Sequence, residues 1–274
     1  MMKTLIYTLA VAVLLFAGPA SGEQAVSERE NFKLGEYNAF VLAPPTKPIE
    51  ADAGKPWVWY APTFHNRLPH PKQEGWMIER LHAKGIAIAG IDVGESYGSP
   101  TGRAAYQKLY EEMTTNRGYS KKPVLLARSR GGLMLYNWAV EHPNCVAGVT
   151  GIYPVCNLES YPGLKKAAPA YKMTEAKLKQ NLAKHNPVDR LAPLAKAKVP
   201  ILHLQGDSDR VVPLEANTAL LAERYKSLDG PMTVVIIKGG GHDMKRHWFE
   251  SQTLTDFMIE KALGEKNEAK SQQR

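Results

Sequence analysis

From Asn31 onward, short apolar runs alternate with longer amphipathic segments, and this alternation narrows the possible folds more than any other feature of the chain. "NAFVLAPP", "PWVWYAP", "GIAIAGIDV", "KPVLLARS", "VAGVTGIYPV", "PILHLQGD" and "MTVVIIKGG" read as strands. Between them "GWMIERLHAKG", "AAYQKLYEEMT", "GGLMLYNWAVEHP" and "LEANTALLAERYKSL" read as helices, and a last helix lies near Trp248 to Leu263. Strands that are apolar on both faces need cover on both sides, and helices placed between successive strands supply it through parallel crossovers. The expected fold is therefore a three-layer α/β domain: a mostly parallel sheet with helices on both faces. With 274 residues the chain has room for one such domain. Its 44% hydrophobic and 23% charged content excludes a disordered chain outside the two ends.

The N-terminus reads as an export signal over residues 1–22. Lys3 is the only charge before Glu23, Leu5 to Ala17 is an uncharged apolar run, and Ala20-Ser21-Gly22 supplies small residues for cleavage. A membrane anchor is the weaker reading, because Gly18-Pro19 interrupts the run short of the roughly 20 residues needed to span a bilayer. The expected mature protein, residues 23–274, is periplasmic or secreted, with no stable membrane insertion. Loss of Lys3 lowers the net charge from +8 to +7. The remaining lysines are spread along the chain, which argues against a nucleic-acid partner and leaves anionic surfaces or acidic polysaccharides open. Residues 265–274, "EKNEAKSQQR", mix both signs and read as a solvated tail.

Only two cysteines occur, Cys145 and Cys156, on either side of the strand-like "VAGVTGIYPV". Eleven extended steps of about 3.3 Å separate them far beyond the Cα distance of about 7 Å that a disulfide tolerates, so two free thiols are expected. No paired Cys/His cluster suggests a zinc site.

In parallel sheets, ligand sites gather beyond the C-terminal ends of the strands. Three such ends carry chemistry: Ala127-Arg128-Ser129-Arg130-Gly131, "QGDSDRVVP" with Asp209 three residues beyond Gly206, and "KGGGHD" with His242 after three glycines. A serine hydroxyl is a weak nucleophile until a base takes its proton; an imidazole can do so, and a carboxylate holds that imidazole in the right tautomer. A strand-to-helix turn at the serine needs small neighbours two positions away on each side, and Ala127 and Gly131 meet that need.

Small-x-Ser-x-Gly-Gly, Gly-Asp-x-Asp-x-x-Val-Pro and Gly-Gly-His occur in that order, with the appropriate elements between them. The chain resembles the α/β hydrolases of the dienelactone hydrolase and prolyl-oligopeptidase-like type from about Phe40 to its last helix. The resemblance implies an α/β-hydrolase fold and a catalytic triad of Ser129 as nucleophile, Asp209 as acid and His242 as base, without a cofactor. It further implies an oxyanion hole in which the N–H of Arg130 is joined by that of Thr63 or Phe64, and the loop "DVGESYGSPTG" resembles the glycine-rich loop common in the family. About 45 residues between the strands near Val155 and Ile201 exceed a simple crossover. They contain the helix-like "TEAKLKQNLAKHN" and "PVDRLAPLAKA", and residues 157–186 read as a small cap.

Each assignment has a rival. Ser129 could merely cap the following helix; Asp207 competes with Asp209 and is better suited to hold the turn; His247 competes with His242 but falls in the next helix; His203 lies within a strand and reads as structural. His65, Asn66, Arg67 and His70 could line a polar pocket or bind a metal, although loop polarity explains them more simply. Trp59, Tyr60, Tyr153 and Tyr161 could stack on a sugar or aryl group, or pack the core. Arg128 and Arg130 could hold a carboxylate through paired hydrogen bonds; candidate substrate-binding residues are thus Arg128, His65 and Tyr153. The Ser-Arg step also resembles the elbow of glucuronoyl esterases, but the accompanying cysteine and lysine are missing and the activity is not carried over. The expected activity is hydrolysis of a small-molecule or carbohydrate-linked ester through an acyl-enzyme. A peptidase of the prolyl-oligopeptidase type and an inactive binding module are the alternatives.

Overall fold

A computed structural model of the chain describes residues 29–45, 54–65 and 67–264. The export signal read in residues 1–22, Asn66 and the tail 265–274 lie outside the described residues. The sheet contains eight strands: β1 (Arg29–Leu34), β2 (Tyr37–Leu42), β3 (Trp57–Ala61), β4 (Ala87–Asp92), β5 (Val124–Arg128), β6 (Gly148–Ile152), β7 (Ile201–Gly206) and β8 (Met232–Ile237). Their order is β1-β2-β4-β3-β5-β6-β7-β8. β1 pairs with β2, and β2 with β4, antiparallel; every other neighbour is parallel. This is the mostly parallel α/β-hydrolase architecture. β1 was not expected from the sequence, because "RENFKL" lies at the sheet edge and only Arg29, Phe32 and Leu34 are part-covered.

The helices are α1 (Pro71–Ala83), α2 (Pro100–Glu111), α3 (Gly131–Ala139), α4 (Leu164–Ala167), α5 (Glu175–Gln180), α6 (Leu182–His185), α7 (Ala192–Lys196), α8 (Leu220–Ser227) and α9 (Gln252–Leu263). The last helix starts later than expected, since Arg246–Trp248 forms a separate tight turn and Ser251 caps α9 through the N–H of Leu254. "TEAKLKQNLAKHN" forms two short helices rather than one, broken at Asn181, where φ is −112°. None of the helices among the described residues is long and apolar enough to cross a membrane.

Strand alternation sorts the core into two layers. On β3, Trp57, Trp59 and Ala61 pack with Tyr106, Trp138 and Leu221 from α2, α3 and α8. Val58 and Tyr60 face the other way, toward Met77 and Leu81 of α1 and Leu254 and Met258 of α9. Trp59 and Tyr60 are therefore core residues rather than substrate platforms. A third cluster, including Leu158, Leu164, Tyr171 and Leu178, joins residues 157–186 to Tyr97, Leu133 and Val212. Cys145 and Cys156 are free thiols before and after β6.

The chain leaves β3 for α1 on one face and leaves β5 for α3 on the other. Adjacent parallel strands whose connections depart to opposite faces leave a crevice at their C-terminal ends. That crevice brings the loop after β3 beside the turn that carries Ser129.

Candidate active site

Ser129 has φ +48°, a left-handed conformation that side-chain-bearing residues rarely adopt. Backbone bonds hold it there: its N–H donates to Ile152 O at 3.0 Å, and its carbonyl accepts from Val155 N at 2.8 Å and Gly132 N at 3.0 Å. A Cβ on Gly131 would lie 2.0 Å from Ala61 O, so only glycine lets α3 start this close to β3. No side chain caps α3. The Ser129 hydroxyl lies instead 2.9 Å from His242 Nε2.

His242 Nδ1 lies 2.8 Å from Asp209 Oδ2. An ionised carboxylate only accepts, so Nδ1 carries the proton and Nε2 is left to accept from Ser129. Asp209 Oδ1 accepts from the N–H groups of Val211 at 2.9 Å and Val212 at 2.8 Å, and the carboxylate is fully covered. The loops carrying acid and base touch through backbone: a Cβ on Gly206 would lie 2.0 Å from Gly240 O, and Ser208 N donates to that oxygen at 3.1 Å. Asp207 accepts from Gly239 N at 2.7 Å and thereby ties these two loops together. His247 is exposed beside Trp248 and takes no part in the site.

The loop after β3 bends at Phe64 and His65, with φ +41° and +51°. Its closing bonds use the carbonyls of Thr63 and Phe64, which accept from Leu68 at 3.0 Å and Arg67 at 2.9 Å; among the described residues no bond takes the N–H of Thr63, Phe64 or Arg130. These donors remain free at the crevice where Ser129 stands. The Arg130 side chain spans the rim, with its guanidinium 4.4 Å from the Phe64 ring centroid, 5.7 Å from that of Tyr161, and paired with Glu95.

Two of the expected substrate residues, Arg128 and Tyr153, turn inward. Arg128 has the parity of Leu126, so alternation turns its side chain into the α1/α9 layer, where it is only 11% exposed. It donates to Tyr60 Oη at 3.2 Å and Tyr153 Oη at 3.3 Å, touches Met244 Sδ, and lies 4.0 Å from the buried Glu74 carboxylate. Tyr153 is 1% exposed; its ring lies 4.4 Å from that of His242 and its hydroxyl donates to Asp243 O at 2.9 Å. Arg128 and Tyr153 thus brace the serine and histidine loops from beneath. His65 is exposed on its loop, while His70 caps α1 by accepting from Lys72 N at 3.2 Å. No group of metal-binding side chains occurs among the described residues.

Sequence reasoning passed over Glu74 and Gln205. Gln205 donates to Asp209 Oδ2 at 3.5 Å and to Val212 O at 3.1 Å. A signal was available, since His203 and Gln205 are polar residues at alternate positions of a strand covered on both faces. Together the groups can pass a proton from a hydroxyl to an imidazole held by a carboxylate, beside free N–H donors able to stabilise an oxyanion.

The model of the prolyl oligopeptidase family matches residues 106–263, more than half of the chain. No curated protein matches. Among solved structures, the chain is similar to a puromycin-hydrolyzing peptidase of Mycobacterium tuberculosis, at 14% identity over 87% of this chain and 40% of that one, with a TM-score of 0.64. It is also similar to an S-formylglutathione hydrolase from Agrobacterium tumefaciens, at 16% identity over 86% and 94% of the two chains, TM-score 0.65. A third similar structure is Est1E from Butyrivibrio proteoclasticus, at 15% identity over 86% and 99%, TM-score 0.61. At these identities the likeness is one of fold. The chain spans about two fifths of the length of the peptidase and nearly all of the other two.

Proposed function

The chain belongs to the prolyl oligopeptidase family of serine hydrolases, and on that premise we propose that it cleaves a carboxylic ester through an acyl-enzyme formed on Ser129. His242 takes the Ser129 proton as Oγ attacks the carbonyl carbon and returns it to the departing alcohol. Asp209 holds the Nδ1–H tautomer and stabilises the imidazolium. The tetrahedral oxyanion accepts from the N–H of Arg130 and from that of Thr63 or Phe64; one such donor is worth about 3 to 4 kcal/mol in the transition state. Water then attacks the acyl group, with His242 again as base. The observation that carries this reading is the continuous pair of contacts, 2.9 Å from Ser129 Oγ to His242 and 2.8 Å from His242 to Asp209.

The neighbour spanned over 94% of its length supports a small acyl substrate, its name giving S-formylglutathione. Residues 157–186 act in this reading as a cap that brings Tyr161 to the rim. A carbohydrate-linked ester rests on the expected export and on the basic charge; the inward turn of Arg128 removes one of the two arginines that favoured a sugar-acid ester. The second reading is a peptidase, favoured by the family and by the similarity to the puromycin-hydrolyzing peptidase.

A fluorophosphonate probe, short-chain aryl esters and peptidyl aryl amides, each tested against wild type and Ser129→Ala, separate these readings. Wild type is expected to label and to hydrolyse the esters faster than the amides, and the alanine variant to lose about 10⁶ in kcat. An unlabelled wild type, or an alanine variant that keeps its rate, refutes the serine mechanism; faster amide turnover selects the peptidase.

A further inference from the structure

Behind Asp209 lies a buried chain of polar side chains that the reaction itself does not use. Tyr136 on α3, His203 and Gln205 on β7, and Thr218 just before α8 are all fully buried. Tyr136 Oη lies 2.6 Å from His203 Nε2, and His203 Nδ1 lies 3.1 Å from Thr218 Oγ1. Thr218 Oγ1 is 3.1 Å from Gln205 Oε1, and Gln205 Nε2 reaches Asp209 Oδ2 at 3.5 Å and Val212 O at 3.1 Å.

Donor counting gives this chain one direction. The Asp209 carboxylate and the Val212 carbonyl only accept, so Gln205 must turn its amide N–H groups toward them and Oε1 toward Thr218. Oε1 only accepts, so it takes the single hydroxyl proton of Thr218. The Thr218 oxygen can then only accept from His203, whose Nδ1 must carry the N–H. His203 Nε2 is left bare and accepts from the Tyr136 hydroxyl. Burial pushes His203 down to about 3, so the ring is neutral and holds the one N–H that this order requires.

We propose that Tyr136, His203, Thr218 and Gln205 are positioning residues that keep the Gln205 amide donating to Asp209 Oδ2, the same oxygen that meets His242. The proposal rests on the catalytic reading of Asp209 and His242. Without the Thr218 proton, Gln205 Oε1 is buried with no donor and the amide is held at one end only. Its N–H groups still face Val212 O at 3.1 Å, so the longer contact to Asp209 Oδ2 at 3.5 Å gives way as the amide shifts, and Asp209 loses a donor that keeps Oδ2 on its line to His242. Tyr136 lies on α3, the helix that follows the Ser129 turn, so the chain also links the nucleophile's helix to the acid's strand.

The test uses the whole chain and the variants Thr218→Val, Thr218→Ser and Tyr136→Phe. The downfield Nδ1–H proton resonance of His242, assigned by its loss in His242→Gln, reports the bond to Asp209 without turnover; the pH profile of kcat/KM on a short aryl ester reports its catalytic effect. Thr218→Val and Tyr136→Phe are expected to shift the resonance, move the acid limb of the profile and lower kcat about tenfold with KM within about twofold. Thr218→Ser, which keeps the donor, is expected to restore all three. A resonance that stays in place in Thr218→Val overturns the proposal, whatever happens to thermal stability. If Thr218→Val does not fold, Tyr136→Phe, which loses one oxygen and keeps its ring, decides the matter in the same way. A wild type that hydrolyses no ester refutes the ester reading alone, since the resonance still decides the relay.

Discussion

Replacing Glu74 by glutamine leaves the Arg128 guanidinium buried with no opposite charge beside it. The two side chains are 0% and 11% exposed and stand 4.0 Å apart. At an effective dielectric of about 20 their attraction is about 4 kcal/mol. Glutamine can accept from only one of the two donors that Glu74 serves, the Tyr60 hydroxyl and the His70 N–H, so an acceptor is lost along with the charge, and the expected destabilisation is about 3 to 5 kcal/mol, as for other buried pairs deprived of one partner. The intact pair contributes much less than that. Burial pushes the Glu74 carboxyl above its ordinary range even against the pull of Arg128, so desolvation outweighs attraction. Removing both charges with Glu74→Gln/Arg128→Met should therefore return stability to within about 2 kcal/mol of wild type. Equilibrium urea denaturation of the four corners of this cycle, followed by tryptophan fluorescence at neutral pH, measures both quantities. A single variant costing less than about 1 kcal/mol, or a double variant no more stable than Glu74→Gln, would refute the argument.

Gly206→Ala sets a methyl 2.0 Å from Gly240 O; displacing the histidine loop by about 1 Å is expected to lower kcat about 10²-fold with secondary structure retained by circular dichroism, and unchanged turnover would show that the loops are not in register through that contact. His203 is held below its ordinary 6.5, at about 3, so below pH 6.5 the unfolded chain takes up a proton that the folded protein refuses. Stability should fall by about 1.4 kcal/mol per pH unit between pH 6 and 4 from this group, with no contribution above pH 6.5. Urea midpoints across that window should fall less steeply in His203→Gln, and parallel slopes would count against a neutral buried ring. The Cys156 thiol is buried and pushed upward in pKa by burial, whereas Cys145 is half-buried. An aromatic disulfide reagent should modify Cys145 in the native protein and Cys156 only on unfolding, and equal rates would contradict that burial.

Unbroken apolar runs made the central strands legible, because a parallel strand buried on both faces must be apolar throughout, and amphipathic spacing did the same for the covering helices. β1 escaped detection since an edge strand carries no such requirement, and the break at Asn181 escaped since local helical patterning does not report whether a segment has a surface long enough to lie on. Ser129, Asp209 and His242 could be singled out because each follows a strand end in a recognisable order, and the structure brings the three within hydrogen-bond distance. The roles of the residues behind them were not legible.

What the sequence determined by itself was therefore a set of local facts: which segments are apolar throughout and which are amphipathic, where small residues permit a tight turn, and which reactive side chains stand at strand ends. What only the tertiary structure decided was what faces what across the layers. Arg128 looked like a substrate ligand because it adjoins Ser129 in the chain; strand parity turned it toward Glu74, and the order β3-β5-β6-β7-β8 brought Tyr60 from β3, Tyr153 from the end of β6 and Met244 from the loop after β8 around it. Gln205 looked like a strand residue of no special use until β7 placed it between Thr218 and Asp209. Propensity and periodicity act over a few residues along the chain. A buried charge or amide is satisfied by partners tens of residues away, and only the path of the chain through space selects them.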